Sequence, residues 1–187
     1  LRLRRAARII VLDPEGRALM FRYDVPGRPP FWVTAGGECE PGETFEEAAR
    51  RELLEETGII ADPGPQIARL TPEFITVEGE PVQADERFFI VHVTETRIDT
   101  SRHTALEQQL MTQHRWFSRD ELASWPEAVF PVTINEMIAQ GTRAWLRRRS
   151  LPLPMIWASS PCGACCRPRR ARWSARSSSS TNSGRLN

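Results

Sequence analysis

The chain contains no lysine, so all 25 of its basic side chains are arginine. That absence reads as coding bias and carries no mechanism. Cysteine is scarce and poorly placed for cross-linking: Cys39 stands alone, while Cys162, Cys165 and Cys166 cluster near the end. This is no disulfide framework, and a reducing, cytoplasmic setting is the default expectation. No run of about eighteen apolar residues exists, and the first residues lack an apolar signal core, so no membrane span or targeting segment is expected. There is a single tyrosine, Tyr23, and no internal repeat. What remains is 187 residues, enough for one domain with a sizeable core.

The net charge of +1 hides an asymmetry. Residues 151–187 carry six arginines and no acid, which leaves residues 1–150 near −5. An acidic body matches an empty cation site better than a nucleic-acid surface, so nucleic acid is not an expected partner.

The acids concentrate between Gly37 and Ile59, GECEPGETFEEAARRELLEETGI, where eight glutamates occupy 23 residues. Thr44 followed by Glu47 is a capping box, so a helix is predicted to begin at Phe45, and Gly58 supplies the left-handed residue that ends it. At about 100° per residue Phe45, Ala48, Ala49 and Leu53 form the buried stripe. Glu52 and Glu56 project into the same arc, with Glu55 at its edge. Three carboxylates at i, i+3 and i+4 repel one another at a core boundary, and one of them takes up a proton unless a cation neutralises the group. Oxygen-only ligation suits a hard divalent ion, Mg²⁺ first and Mn²⁺ second, of the kind shared with phosphate oxygens.

Gly37, Glu43, Arg51-Glu52-Leu53, Glu55-Glu56 and Gly58-Ile59 stand at the spacing G-x5-E-x7-R-E-U-x-E-E-x-G-U, with U aliphatic. This resembles the complete Nudix box, with every defined position filled. The resemblance implies an α/β (α+β) fold, a Nudix-type α/β/α sandwich with a central mixed sheet. It implies an enzyme that hydrolyses nucleoside diphosphates linked to another group. Glu52, Glu55 and Glu56 would hold the metal; Glu43 would add to the site or pair with Arg51, orienting the helix, and Arg51 counts with the catalytic residues. Many relatives carry proline where Ala35 stands, a departure that loosens the turn without touching a ligand.

Along the chain, Arg2 to Arg5 read as a frayed basic lead-in, and Ala7–Leu12 and Ala18–Tyr23 as a hairpin around Asp13-Pro14-Glu15-Gly16. Residues 24–30 hold three prolines and a glycine and form a loop, flanked by Arg22 and Arg28 as candidate phosphate or leaving-group contacts. A strand at 31–34 delivers the chain to Gly36 and Gly37, glycines that let backbone approach metal or substrate. Trp32 reads as core, or as a wall of the substrate pocket. Strands are expected over 67–77 and 87–94, the second apolar on both faces as a central strand is. Its His92 reads as a core histidine, and Asp85 and Glu86 at its entrance as turn acids or contributors to the site. Residues 100–113 are polar, and by resemblance form a mobile loop near the site. The resemblance also implies a further glutamate here, outside the box, as general base or extra ligand; Glu107, the one acid in the stretch, is the candidate, against a capped surface helix TALEQQL, with His103 and His114 as the alternatives. A strand at 115–118, a helix Arg119–Trp125 capped by Ser118, and an amphipathic helix 132–149 complete a domain of residues 1–150. Residues 151–187, rich in Arg, Ser, Pro and Cys, have the composition of a disordered tail.

The expected mechanism is metal-assisted hydrolysis: Glu52, Glu55 and Glu56 hold Mg²⁺ against a pyrophosphate, water attacks phosphorus in line, and Glu107 or a box glutamate takes the proton. Substrate candidates are ADP-ribose or nucleotide-sugar types and (oxidised) nucleoside triphosphates. Two relatives' features are missing: the tyrosine that dinucleoside-polyphosphate hydrolases carry after the box, and the SQPWPFPxS signature of NADH hydrolases. The alternative is a Nudix-fold module that senses a nucleotide without cleaving it. Expected partners are a small-molecule nucleotide substrate and, at most, a second copy in a homodimer.

Overall fold

In a computed structural model the residues described are 1–149, with side-chain surroundings given through Arg143. β1 (Arg2–Leu12) and β2 (Ala18–Tyr23) are antiparallel and meet at Leu12 and Ala18, where Asp13 N–H donates to Arg17 O and Gly16 N–H to Asp13 O. β3 (Phe31–Val33) pairs with β2 and leads into α1 (Phe45–Thr57). β4 (Ala68–Leu70), β5 (Glu73–Ile75) and β6 (Pro81–His92) follow. Then come α2 (Ala105–Leu110), β7 (Met111–Phe117), α3 (Arg119–Ser124), β8 (Ala128–Phe130) and α4 (Ile134–Arg149).

The strands form one sheet in the order β4-β6-β1-β2-β3-β8, with β5 also on β6 and β7 also on β2. It is mixed: β1 runs parallel to β6 and β3 parallel to β8. Alternation along β1 and β6 divides the interior into two layers. Ala7, Ile9, Val11, Phe89 and Val91 pack with Ala48, Ala49 and Leu53 of α1. Ile10, Leu12, Phe88, Trp32 and Phe117 pack with Leu122 of α3 and Ile134, Met137 and Ile138 of α4. The α+β sandwich and its central mixed sheet are as the resemblance implies, and β6 is the strand buried on both faces.

Four local expectations are corrected. The basic lead-in is not frayed: Arg2 to Arg5 belong to β1, in an eleven-residue register with β6 from Arg2↔Val82 to Leu12↔His92. The strand expected over 67–77 is broken around Pro72, which has no N–H for the ladder, into β4 and β5. The region 100–113 is not one loop but holds α2 and the start of β7. The strand expected over 115–118 is the end of β7; its first half is hidden because the residues between Met111 and Phe117 are exposed or half-buried, which removes the alternation that marks a strand. β8 has three residues, too short to leave a pattern. Helix α4 starts at Ile134, two residues late, after a turn in which Ile134 N–H donates to Pro131 O. Expectations for Trp145, Leu146 and the segment 151–187, its cysteine cluster included, fall outside the described residues or side chains.

Candidate active site

Helix α1 is built as its sequence dictates. Thr44 and Glu47 exchange the reciprocal bonds of a capping box, and Gly58 closes the helix at φ 72° with its N–H on Leu54 O. Burying Ala48, Ala49 and Leu53 against the sheet carries Glu52 and Glu56 inward as well, to 7% and 3% exposure. Glu55, one step around the helix, is about half exposed.

The chain entering the helix is laid along β1. Ala7 N–H donates to Gly37 O at 3.0 Å, Ile9 N–H to Ala35 O at 2.8 Å, and Cys39 N–H to Arg5 O at 2.8 Å. This needs glycine at position 36. Its φ is 125°, and a Cβ there would stand 2.1 Å from Ala7 O. A Cβ on Gly37 would meet Glu52 Oε1 at 2.4 Å. Gly36 also presents its N–H to Glu56 Oε2 at 2.8 Å and its carbonyl to Arg8 Nη1 at 2.7 Å.

Arg51 organises the acids. Its Nε and Nη2 bond the two oxygens of Glu43, each at 3.0 Å, and Nη2 also reaches Glu38 O. Its Nη1 lies between Glu52 Oε1 at 2.8 Å and Glu55 Oε2 at 3.0 Å. Arg51 holds Glu43 below the usual carboxylate range, while burial raises Glu52 against the opposing pull of Arg51. Burial, and then the charge of Glu52, raise Glu56 well above it. Among the described residues no three His, Cys, Asp or Glu side chains stand ready as a metal-ligand set. The donors nevertheless fit a hard divalent cation: they are carboxylate oxygens, two of them buried, and a guanidinium nitrogen already sits between Glu52 and Glu55.

Of these residues Gly36, Gly37, Arg51, Glu52 and Glu56 lie on the wall of a cleft of about 1290 Å³, which Glu107 also lines; Glu43 and Glu55 are not on that wall. Glu107 caps α2, its Oε2 accepting from Thr104 N–H at 2.7 Å and Oγ1 at 2.9 Å. The capped helix and the cleft acid are thus the same residue. On the cleft's apolar side Tyr23 stacks on Phe31, and Phe130 meets Phe31 edge-on.

The other candidates separate. Arg28 lines the cleft, but its guanidinium bonds Ile75 O and Thr76 O, tying the β2–β3 loop to the turn after β5. Arg22 is not on the cleft wall; it pairs with Glu127 and Asp24. Trp32 is 2% exposed in the layer against α3 and α4, donating Nε1 to Glu127 at 2.6 Å, and does not line the cleft. Asp85 is held by Arg69 and Arg87 outside the cleft, while Glu86 lines it and pairs with Arg8. His103 is buried with Nε2 at 2.9 Å from Glu56 O, which makes that nitrogen the protonated one, and His114 is exposed on β7 beside Phe21. His92 ends β6 opposite Leu12. Arg4 and Arg8 line the cleft too, and sequence reasoning missed them. The signal was there: they share the period-2 phase of Ile10 and Leu12, so strand continuation places them on that face.

A family model described as "NUDIX domain" matches residues 2–138. An oxidized purine nucleoside triphosphate hydrolase of Danio rerio is 41% identical over 69 residues, which are 29% of this chain and 44% of that protein. Its counterpart in Mus musculus is 31% identical over 102 residues, 51% of this chain and 56% of that one. The chain thus spans about half the length of these curated relatives. An RNA pyrophosphohydrolase of Erythrobacter litoralis is 30% identical over 143 residues, covering 70% of this chain and 84% of the relative. Among solved structures, a MutT protein from Methanosarcina mazei superposes with a TM-score of 0.54 at 19% identity, over 76% of this chain and 95% of that one. A MutT NUDIX hydrolase from Burkholderia pseudomallei gives 0.51 at 22%, over 75% and 98%. These two likenesses concern the fold.

Proposed function

This chain belongs to the Nudix family, and on that footing we propose that it is a divalent-metal-dependent nucleotide pyrophosphohydrolase. It would cleave a nucleoside diphosphate linked to another group, or a nucleoside triphosphate, to a nucleoside monophosphate and the phosphorylated remainder or pyrophosphate. The observation that carries this reading is the burial of Glu52 and Glu56 together on the cleft wall, beneath backbone that only glycine permits. Two buried acids with raised proton affinity are costly to keep, and a cation shared with a phosphate substrate is what makes them useful. The names of the relatives, oxidized purine nucleoside triphosphate hydrolase and RNA pyrophosphohydrolase, favour nucleotides bearing several phosphates.

Glu52, Glu55 and Glu56 would hold Mg²⁺, with Mn²⁺ as substitute. The ion, when bound, supplies charge that offsets the phosphates and helps water ionise near neutral pH. Arg51 remains anchored by both oxygens of Glu43 and by Glu38 O when Glu52 and Glu55 turn to a ligand, so Glu43 acts by positioning Arg51. Gly36 N–H fixes one oxygen of Glu56 and thereby aims the other. Glu107 would take the proton from the attacking water: it lines the same cleft, and its Oε1 makes none of the cap bonds that Oε2 makes. A cytoplasmic setting is part of the same proposal. Among the described residues no helix is long and apolar enough to cross a membrane.

The test is a phosphate-release panel of nucleoside triphosphates, ADP-ribose and nucleotide sugars with Mg²⁺ and with Mn²⁺. Turnover of at least one class, abolished by a chelator, supports the enzyme. Thermal stabilisation by nucleotide without turnover of any class overturns it in favour of a sensing module.

A further inference from the structure

The cleft has a basic stretch that the hydrolytic residues do not use. Arg4 and Arg8 point from the same face of β1, and both line the cleft. Arg8 is fixed: Nε donates to Glu86 at 3.0 Å and Nη1 to Gly36 O at 2.7 Å. Arg4 is not. Its Nε approaches Glu38 Oε2 at 3.2 Å, but Glu38 is already gripped by Arg2, which also pairs with Glu80. The Arg4 side chain packs beside the Phe74 ring, 6.0 Å from its centroid, and is 15% exposed. Its Nη1 is buried and has no hydrogen-bond partner among the described residues.

A buried N–H of a cation left without an acceptor is destabilising. Burial and then the charge of Arg8 both disfavour the Arg4 cation, with Glu38, Glu86 and Glu78 opposing. An acceptor delivered from the cleft would remove both penalties. Arg8 sits one residue's width from Glu56, since Gly36 holds Arg8 on its carbonyl and Glu56 on its N–H. Arg4 lies four residues further along an extended strand, about 13 Å between Cα atoms. Its ligand is therefore a different part of the substrate from the diphosphate held at Glu52 and Glu56.

We propose that Arg4, with Arg8 beside it, forms a second anion subsite that binds a negatively charged group of the substrate beyond the diphosphate that is cleaved. The subsite deepens the pyrophosphohydrolase reading and rests on it for the word substrate. It defines a substrate class: nucleotides with an additional anionic group, either the distal phosphate of a nucleoside triphosphate or a carboxylate on the attached group. Nucleoside diphosphates linked to neutral sugars would be the poor substrates.

The experiment compares three compounds on the full chain with Mg²⁺: a nucleoside triphosphate, a nucleoside diphosphate linked to a hexuronic acid, and the same diphosphate linked to the neutral hexose. Arg4→Met keeps the apolar stem against Phe74 and removes the charge; Arg4→Lys keeps the charge and removes the planar fork. The kcat/KM ratio of anionic over neutral compound is expected to fall about tenfold to a hundredfold in Arg4→Met, chiefly through KM, and less in Arg4→Lys. A fall with the triphosphate, with the hexuronate or with both identifies the source of the anion. A ratio unchanged by Arg4→Met, or a wild type that does not discriminate, overturns the subsite. If none of the three is hydrolysed, the pyrophosphohydrolase reading is what has failed. The subsite is then judged by the same ratio in dissociation constants from calorimetry, with the same two outcomes.

Discussion

Arg51 grips both carboxylate oxygens of Glu43, Nε on Oε1 and Nη2 on Oε2, at 3.0 Å each across eight residues of sequence. The bidentate bond ties the loop before α1 to the middle of the helix and leaves Nη1 to face Glu52 and Glu55. Glu43→Gln cannot hold both bonds as an ion pair. It is expected to lower stability by about 1–3 kcal/mol, since the pair is largely shielded from solvent. It should also reduce kcat about tenfold or more while KM changes less, because Arg51 loses its bearing. Thermal unfolding and steady-state kinetics on the same preparation check this; a KM effect alone would argue against a positioning role.

Glu56→Gln separates charge from shape. The amide oxygen can still accept from Gly36 N–H, and a costly buried charge disappears. The metal-free variant should melt no lower than wild type, whereas turnover drops by orders of magnitude and the stabilisation by Mg²⁺ is lost. Calorimetric scans with and without Mg²⁺ read the first and last points. Wild-type turnover in a purified, folded variant would remove Glu56 from the catalytic set.

Stability should depend on pH in a way that metal reverses. Glu52 and Glu56 have folded-state proton affinities above the ordinary value of 4.5, chiefly through burial. The folded protein then binds more protons than the unfolded chain, so stability falls as pH rises above about 4.5. Glu43 and Asp85, held down by Arg51 and Arg87, act the other way and lose their contribution as pH falls through the acid range. Metal-free melting temperatures should decline as pH rises from about 4.5 through the raised folded-state values of the two acids, Mg²⁺ should flatten that decline, and Glu56→Gln should reduce it. A metal-free curve that rises steadily to pH 8 would contradict the buried-acid account.

Two adjacent glycines should fail differently. A Cβ at Gly36 meets backbone, at 2.1 Å from Ala7 O and with φ at 125°, and neither the strand nor the loop can move away. Gly36→Ala is expected to cost several kcal/mol, seen as loss of soluble folded protein or a large drop in melting temperature. At Gly37 the obstacle is the carboxylate of Glu52, at 2.4 Å, the far end of a flexible side chain. Gly37→Ala should fold, with Glu52 displaced, and show weakened Mg²⁺ dependence of activity. Equal damage to stability from both would refute the distinction.

How much could be read beforehand follows from what kind of interaction sets each feature. Helix α1 was legible to the residue because its start, stripe and stop are local: Thr44 with Glu47, the 3.6 period, and Gly58. The strand buried on both faces was legible only in its apolar half, expected over 87–94; β6 starts six residues earlier, at Pro81, where polar residues are interleaved, and ends at His92. Arg2 to Arg5 looked like a loose end because their strand is imposed by β6, about 80 residues away in sequence. The first half of strand β7 was hidden by residues that face solvent, and β8 by its brevity. At the site, Glu52 and Glu56 stood out as acids on an apolar stripe. Arg22 and Trp32 were reasonable pocket residues until Glu127, about 100 residues later, drew both to itself. Long-range partners decide such cases, and composition does not contain them.

Gly36 has one further consequence. It holds Glu56 by its nitrogen and Arg8 by its oxygen, while its missing side chain leaves it pressed against Ala7. A residue pinned on three sides cannot yield to one neighbour without dragging another. Arg8 and Glu56 therefore share one peptide unit as common hydrogen-bond partner, and a substitution that shifts that peptide is expected to disturb both side chains together.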